Sequence, residues 1–174
     1  MFDADLYQRE MSGLLQEAVL RLERQHPGLV IYSVSIWTDP NAARSAVSVD
    51  TEEHSADQVR RSEAWARKHY DRLMAEGDEA GAQRFAPKPG ARNDNPANFR
   101  LRELAMLEHR AFQPGWEMET QGGCWRELEP ALLETQQRAL TVFASLPCHP
   151  RAELAVNSPR DWYDHPVELR FAAT

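Results

Sequence analysis

The chain has 174 residues, 42% of them hydrophobic, with 20 basic side chains against 27 acidic ones and a formal net charge of −7. That length carries one globular domain with a core that needs no staples, and the acidic balance lacks the basic footprint of a protein whose direct ligand is nucleic acid. The opening MFDADLYQRE is acidic and amphipathic rather than basic then apolar, and no apolar run approaches the roughly 20 residues that cross a bilayer. The expectation is a cytoplasmic protein with no membrane contact.

Residues 4 to 25 predict a helix, because Tyr7, Met11, Leu14, Leu15, Ala18, Val19 and Leu22 recur at helical spacing. Asp3 can cap its start, and His26-Pro27-Gly28 stops it. The period then changes to two. Val30, Tyr32, Val34 and Ile36 are placed on one side of a strand, and Ile31, Ser33, Ser35 and Trp37 on the other. A strand this apolar predicts cover on both faces. Asp39-Pro40-Asn41 marks a turn, and residues 45 to 50 predict the hairpin partner, with Val47 and Val49 inward.

A second helix is expected over residues 56 to 76, with Ser55 and Gln58 as a capping box and Gly77 as its end. Glycines, prolines and Asn93-Asp94-Asn95 make residues 77 to 98 a surface excursion, with one short helical turn near Ala82. Residues 98 to 112 have the composition of a helix, although Leu101, Leu104, Met106 and Leu107 match neither period cleanly. Residues 113 to 123 are expected as a loop. Pro130 fits the first turn of a helix running to about Ser145, with Leu132, Leu133, Gln136, Ala139, Leu140 and Phe143 on its face. Residues 153 to 157 and 167 to 171 predict closing strands. The whole reads as one α+β domain over residues 1 to 174, a central, mainly antiparallel sheet flanked by helices.

The candidate chemistry is sparse. His149, Asp161, Asp164 and His165 have metal-ligand character but lack the spacing of a metal site, and His26, His149 and His165 each precede a proline, a loop context. No metal and no cofactor is expected. Glu108, His109 and Arg110 offer a base and an anion holder, yet neighbouring helical residues point about 100° apart. Cys124 follows Gly122-Gly123, where a helix start can lower a thiol pKa, and no histidine partner is placed by sequence. The same glycines lack the lysine of a phosphate loop. Cys124 and Cys148 read as free thiols.

The densest pattern is acidic and aromatic. Glu117, Glu119, Glu127, Glu129 and Glu134 surround Trp116 and Trp125, and Asp161-Trp162-Tyr163-Asp164 repeats the theme. Aromatic anchors among carboxylates describe a surface for a basic protein; the same pattern also fits core tryptophans with a solvated acidic rim. As a binding surface it comprises Trp116, Glu117, Glu119, Glu127, Glu129, Asp161, Trp162 and Asp164.

Several segments also resemble a bacterial family of domains of unknown function. They are the strand Ile31 to Trp37 followed by Thr38-Asp39, the step Asp50-Thr51-Glu52-Glu53, the element from Arg110 to Glu119 with Phe112, Pro114 and Trp116, and Leu154 to Pro159. Proteins of this kind are similar to immunity proteins, small cytosolic domains that neutralise secreted polymorphic toxins and type VI secretion effectors. The resemblance implies a non-catalytic inhibitor that occludes the active site of a cognate toxin, and it carries over no catalytic residue. The rival expectation is a small hydrolase using His109, His149, Asp164 or His165.

Overall fold

The computed structural model describes residues 2–86, 90 and 92–170. The fold is α+β, with a mainly antiparallel sheet flanked by helices. The chain divides into two compact units, Met1–Glu52 with Asn95–Thr174, and Glu53–Asp94.

The first unit holds the sheet. Its strands are β1 (Ile31–Asp39), β2 (Arg44–Asp50), β3 (Leu101–Glu108), β4 (Cys148–Val156) and β5 (Asp164–Glu168), in the order β3-β2-β1-β4-β5. Among the described residues, only the β1–β4 pair is parallel. Asp39 closes the β1–β2 hairpin, because its Oδ1 accepts the N–H groups of Asn41 at 2.8 Å and Ala42 at 3.0 Å. Val34 and Ile36 oppose Val49 and Val47 across the hairpin, so one face is continuously apolar.

Helices α1 (Ala4–Gln25) and α5 (Trp125–Phe143) pack against that face. The stripe of α1 is buried as its spacing predicts, except that Val19 is only partly buried, and the Asp3 carboxylate caps the helix by accepting Leu6 N–H at 2.9 Å. Leu128, Leu132, Ala139 and Phe143 of α5 complete the core. Gln136 lies among them, almost fully buried, and is satisfied because its Nε2 donates to the carbonyls of Leu154 and His165. The opposite sheet face is unusual in being polar and buried. Ser33, Ser35, Ser48 and Asp50 are all inaccessible there, and Phe99, Ala155 and Tyr163 form a small separate cluster.

The second unit contains most of α2 (Glu52–Ala75) and α3 (Glu79–Gln83). Ser55 is the buried residue of α2, and its hydroxyl accepts Asn93 N–H at 2.8 Å. Trp65, His69 and Phe85 meet edge to face. Asp78 caps α3 by accepting Gly81 N–H, so closely that a Cβ at position 81 would lie 2.1 Å from Asp78 Oδ2.

Several expectations are corrected. Residues 101–108 form a strand, not a helix. Pairing with β2 overrides their helical propensity, and a register shift between Val47 and Val49 with Glu103 at φ 51° breaks the alternation, so neighbours Leu104 and Ala105 are both buried. Val30 is 47% exposed, and Ile31 joins the core in its place, because the β1–β4 register shifts between Ile31 and Ser33. There, one residue of β1, Tyr32, faces four of β4, His149 to Ala152, among them Pro150. Ser55 lies inside α2 rather than capping it, since the helix begins at Glu52. A short helix, α4 (Trp116–Glu119), interrupts the expected loop. Pro130 is the sixth residue of α5, whose opening turns use three-residue hydrogen bonds from Trp125, Arg126 and Glu127. The last strand starts at Asp164 and carries Pro166 on an edge, where a missing N–H is tolerated. Phe171, expected in that strand, lies outside the described residues.

Candidate functional site

A polar chain of five side chains is buried in the first unit. Tyr7 and Glu10 come from α1, Thr38 from β1, Ser45 from β2, and His109 from the turn after β3. Tyr7 Oη lies 2.9 Å from Thr38 Oγ1, which lies 2.5 Å from Ser45 Oγ. Ser45 Oγ lies 2.6 Å from His109 Nε2, and His109 Nδ1 lies 2.9 Å from Glu10 Oε2. The order assigns every proton. The carboxylate takes Nδ1–H, which leaves Nε2 to accept from Ser45, Ser45 to accept from Thr38, and Thr38 to accept from Tyr7.

Burial shifts these groups in the matching directions. It pushes the Tyr7 phenol far up, so Tyr7 stays a donor. It lowers His109, against the opposing pull of Glu10. On Glu10 burial acts to raise the pKa, but the His109 hydrogen bond and the Arg110 N–H outweigh it, and the net shift is downward.

Ser45, His109 and Glu10 have the connectivity of a hydrolytic triad, but Ser45 is 0% exposed and its oxygen is already held by Thr38. A nucleophile needs an approach path and a place for the reacting carbonyl beside it. What the chain accomplishes is to fasten α1 to β1, β2 and the 109–112 turn, where His109 also stacks on Tyr7 and Phe112. Sequence reasoning singled out His109 but missed its partners, which lie 64 and 99 residues away.

The other rival residues occupy separate settings. His149 Nε2 is 3.2 Å from Glu52, and its ring meets Tyr32 edge-on. His165 Nε2 is 3.1 Å from Glu129 and 3.9 Å from Asp164. Among the described residues, no group of three or more His, Cys, Asp and Glu side chains is placed to hold a metal ion. Burial raises the Cys124 thiol despite its position at the start of α5, and pushes Cys148 up to about 11, so neither has the lowered pKa of an activated nucleophile.

The eight residues of the acidic and aromatic surface divide. Trp116 is core, against Phe2 and Phe112, and so is the neighbouring Trp125. Glu117 is a structural acceptor, at 2.7 Å from Trp125 Nε1 and 2.8 Å from Asn41 Nδ2. Glu129 and Asp164 are brought together on His165. A hydrogen bond from Ser158 and the His165 N–H hold the Asp164 carboxylate below its usual range. Glu119, Glu127, Asp161 and Trp162 remain exposed, and Met118, which the sequence pattern did not single out, is 70% exposed between two of the glutamates.

Trp162 is the exposed tryptophan of that set. It meets Trp37 edge to face at 5.8 Å and 90° over a groove of about 330 Å³ on the polar side of the sheet. Asp39, Asn95, Pro96, Ala97, Arg102 and Glu103 complete the lining. Trp37 pairs with Ala46 and Ala46 with Met106, so an apolar row crosses the strands and ends at Met106, 53% exposed on the edge strand. The row above it is charged, with Arg44 ion-paired to Glu108 at 2.5 Å.

Comparison with protein-family models, curated proteins and solved structures finds no significant match. Among the described residues, no helix is long and apolar enough to cross a membrane. The first unit exposes Trp162 beside the half-buried Trp37, together with Met106, Met118 and the carboxylates of Glu119, Glu127 and Asp161, while the polar relay is sealed in the core.

Proposed function

We propose that the protein is a non-catalytic immunity protein of the bacterial cytoplasm, which binds a cognate toxin or secreted effector and covers its active site without a cofactor. The observation that carries this reading is Trp162, 53% exposed, set on Trp37 and neighboured by Asp39, Glu103 and Asp161. Large aromatic side chains normally lie mostly inside, and here Trp116 and Trp125 do. An indole left in water beside an apolar row and a charged rim has the anatomy of an interface anchor.

The net charge of −7 supports a basic partner, since opposite surface charge accelerates encounter. A toxin acting on nucleic acid has a basic cleft, and carboxylates such as Asp39, Glu103, Asp161, Glu119 and Glu127 would stand there in place of phosphates. The resemblance carried by Ile31 to Trp37 and by Asp50-Thr51-Glu52-Glu53 supports the same reading; Ile31 to Trp37 lies in β1 and Asp50 ends β2, within the sheet that bears the groove.

The test is co-expression. The polypeptide encoded beside this chain should arrest growth when expressed alone and should not when this chain accompanies it. The purified pair should associate more slowly as salt rises. Arrest that co-expression does not relieve would overturn the proposal.

A further inference from the structure

The groove beneath Trp162 has a more specific chemistry than a docking face requires. The two indoles stand at 90°, so they form a corner with two walls rather than a flat stack. Trp37 is half-buried and fixed within β1, while Trp162 is exposed on the turn before β5. Two carboxylates line the same space. Asp39 commits Oδ1 to the Asn41 and Ala42 N–H groups, which leaves Oδ2 without a hydrogen bond among the described residues. Glu103 sits at the bulge of β3, exposed and without an ion pair among the described residues. Arg102 is the cation of the lining, so the charge there is 1 − 2 = −1, and Asp161 adjoins Trp162 in the chain. A volume of about 330 Å³ admits one long side chain and not a folded element.

We infer that this corner is a receptor for a single basic side chain, an arginine, presented by a partner protein. The face of an indole is the negative lobe of its quadrupole and attracts a cation within about 6 Å of the ring centroid, guanidinium more often than ammonium. A planar guanidinium can lie on one wall while its N–H groups reach the free oxygen of Asp39. An uncharged side chain of the same shape gains neither term, and an acidic one meets like charge. The nature of the molecule that presents the arginine rests on the inhibitor reading above; the chemistry of the corner does not.

The experiment uses the full chain labelled with nitrogen-15 and two probes, N-acetyl-arginine amide and its uncharged isostere N-acetyl-citrulline amide. The indole N–H resonances of Trp37 and Trp162 should shift saturably with the arginine probe and at least about threefold more weakly with the citrulline probe. Trp162→Ala and Asp39→Asn should each weaken the arginine response about three- to tenfold. Asp39→Asn keeps an oxygen for the Asn41 and Ala42 N–H groups, so the turn survives. Equal responses to the two probes, or an arginine response unchanged in both variants, would overturn the assignment. The two proposals fail separately. Arginine binding without neutralisation of any toxin removes the inhibitor and leaves the corner; neutralisation by a chain that ignores the arginine probe removes the corner and leaves the inhibitor.

Discussion

Replacing Ser45 by alanine interrupts the buried relay at its centre. The hydroxyl makes two contacts, 2.5 Å to Thr38 Oγ1 and 2.6 Å to His109 Nε2. Thr38 keeps the bond from Tyr7 but loses the acceptor of its own proton, and His109 Nε2 loses its donor in a side chain with no exposed surface. Glu10 holds the proton on Nδ1, so the ring has no easy change of tautomer. Two net hydrogen bonds are worth about 1 kcal/mol each, and an orphaned buried acceptor costs about 1–3 kcal/mol, which gives a loss of about 3–5 kcal/mol. With a urea m-value of about 2 kcal/mol/M, the midpoint should fall by about 1.5–2.5 M. Equilibrium urea unfolding at pH 7.5 measures this, with Ser62→Ala on an exposed site of α2 as the control. A Ser45→Ala midpoint within about 0.3 M of the parent would refute the relay as a source of stability.

Stability should also fall toward acid in two steps. His109 is lowered from 6.5, so below that pH the unfolded chain binds a proton that the fold resists, at up to about 1.4 kcal/mol per pH unit; Glu10, lowered from 4.5, adds its loss below that value. Urea midpoints between pH 4 and 8 should trace this, with the upper step missing in His109→Gln; a flat parent profile would contradict it. Val34→Asp places a carboxylate at a 0% exposed site in a central strand and should cost several kcal/mol, seen as a large drop in melting temperature; a change of a degree or two would unseat β1 from the core. Glu117→Lys should destabilise by about 2 kcal/mol, because it loses the Trp125 and Asn41 bonds, whereas Glu119→Lys, an exposed change, should leave the melting temperature within about 1 °C. Equal melting temperatures for these two variants would count against the structural role of Glu117.

Much of the fold was legible because local and global preferences agree there. The α1 stripe with its Asp3 cap and the β1–β2 hairpin with Val47 and Val49 inward follow from period and turn chemistry alone. The misreadings fall where long-range pairing bends the period. Residues 101–108 carry helix-forming side chains, and the bulge at Glu103 hides their alternation. The β1–β4 bulge exchanges Val30 for Ile31 in the core, an event invisible before β4 is known to be the neighbour.

The site was legible in composition but not in geometry. Both acidic-aromatic clusters hold tryptophans, yet the core takes Trp116 and Trp125 and the surface keeps Trp162. Which indole a core absorbs depends on the packing of α4 and α5 against Phe2 and Phe112, not on the flanking glutamates. From sequence, Trp37, the second wall of the corner, is simply a strand residue, because its partner lies 125 residues further along the chain.

The central claim is protection from a toxin, and competition between kin tests it most directly. A strain of the native host lacking only this chain is grown in contact with its parent on a solid surface, and survival is counted. The deleted strain should be killed or arrested by the parent, rescued by the wild-type chain, and rescued less well by Trp162→Ala, with circular dichroism as the check that the variant is folded. Equal survival of the deleted strain and the parent, under conditions where the parent's secretion system is active, would contradict the account.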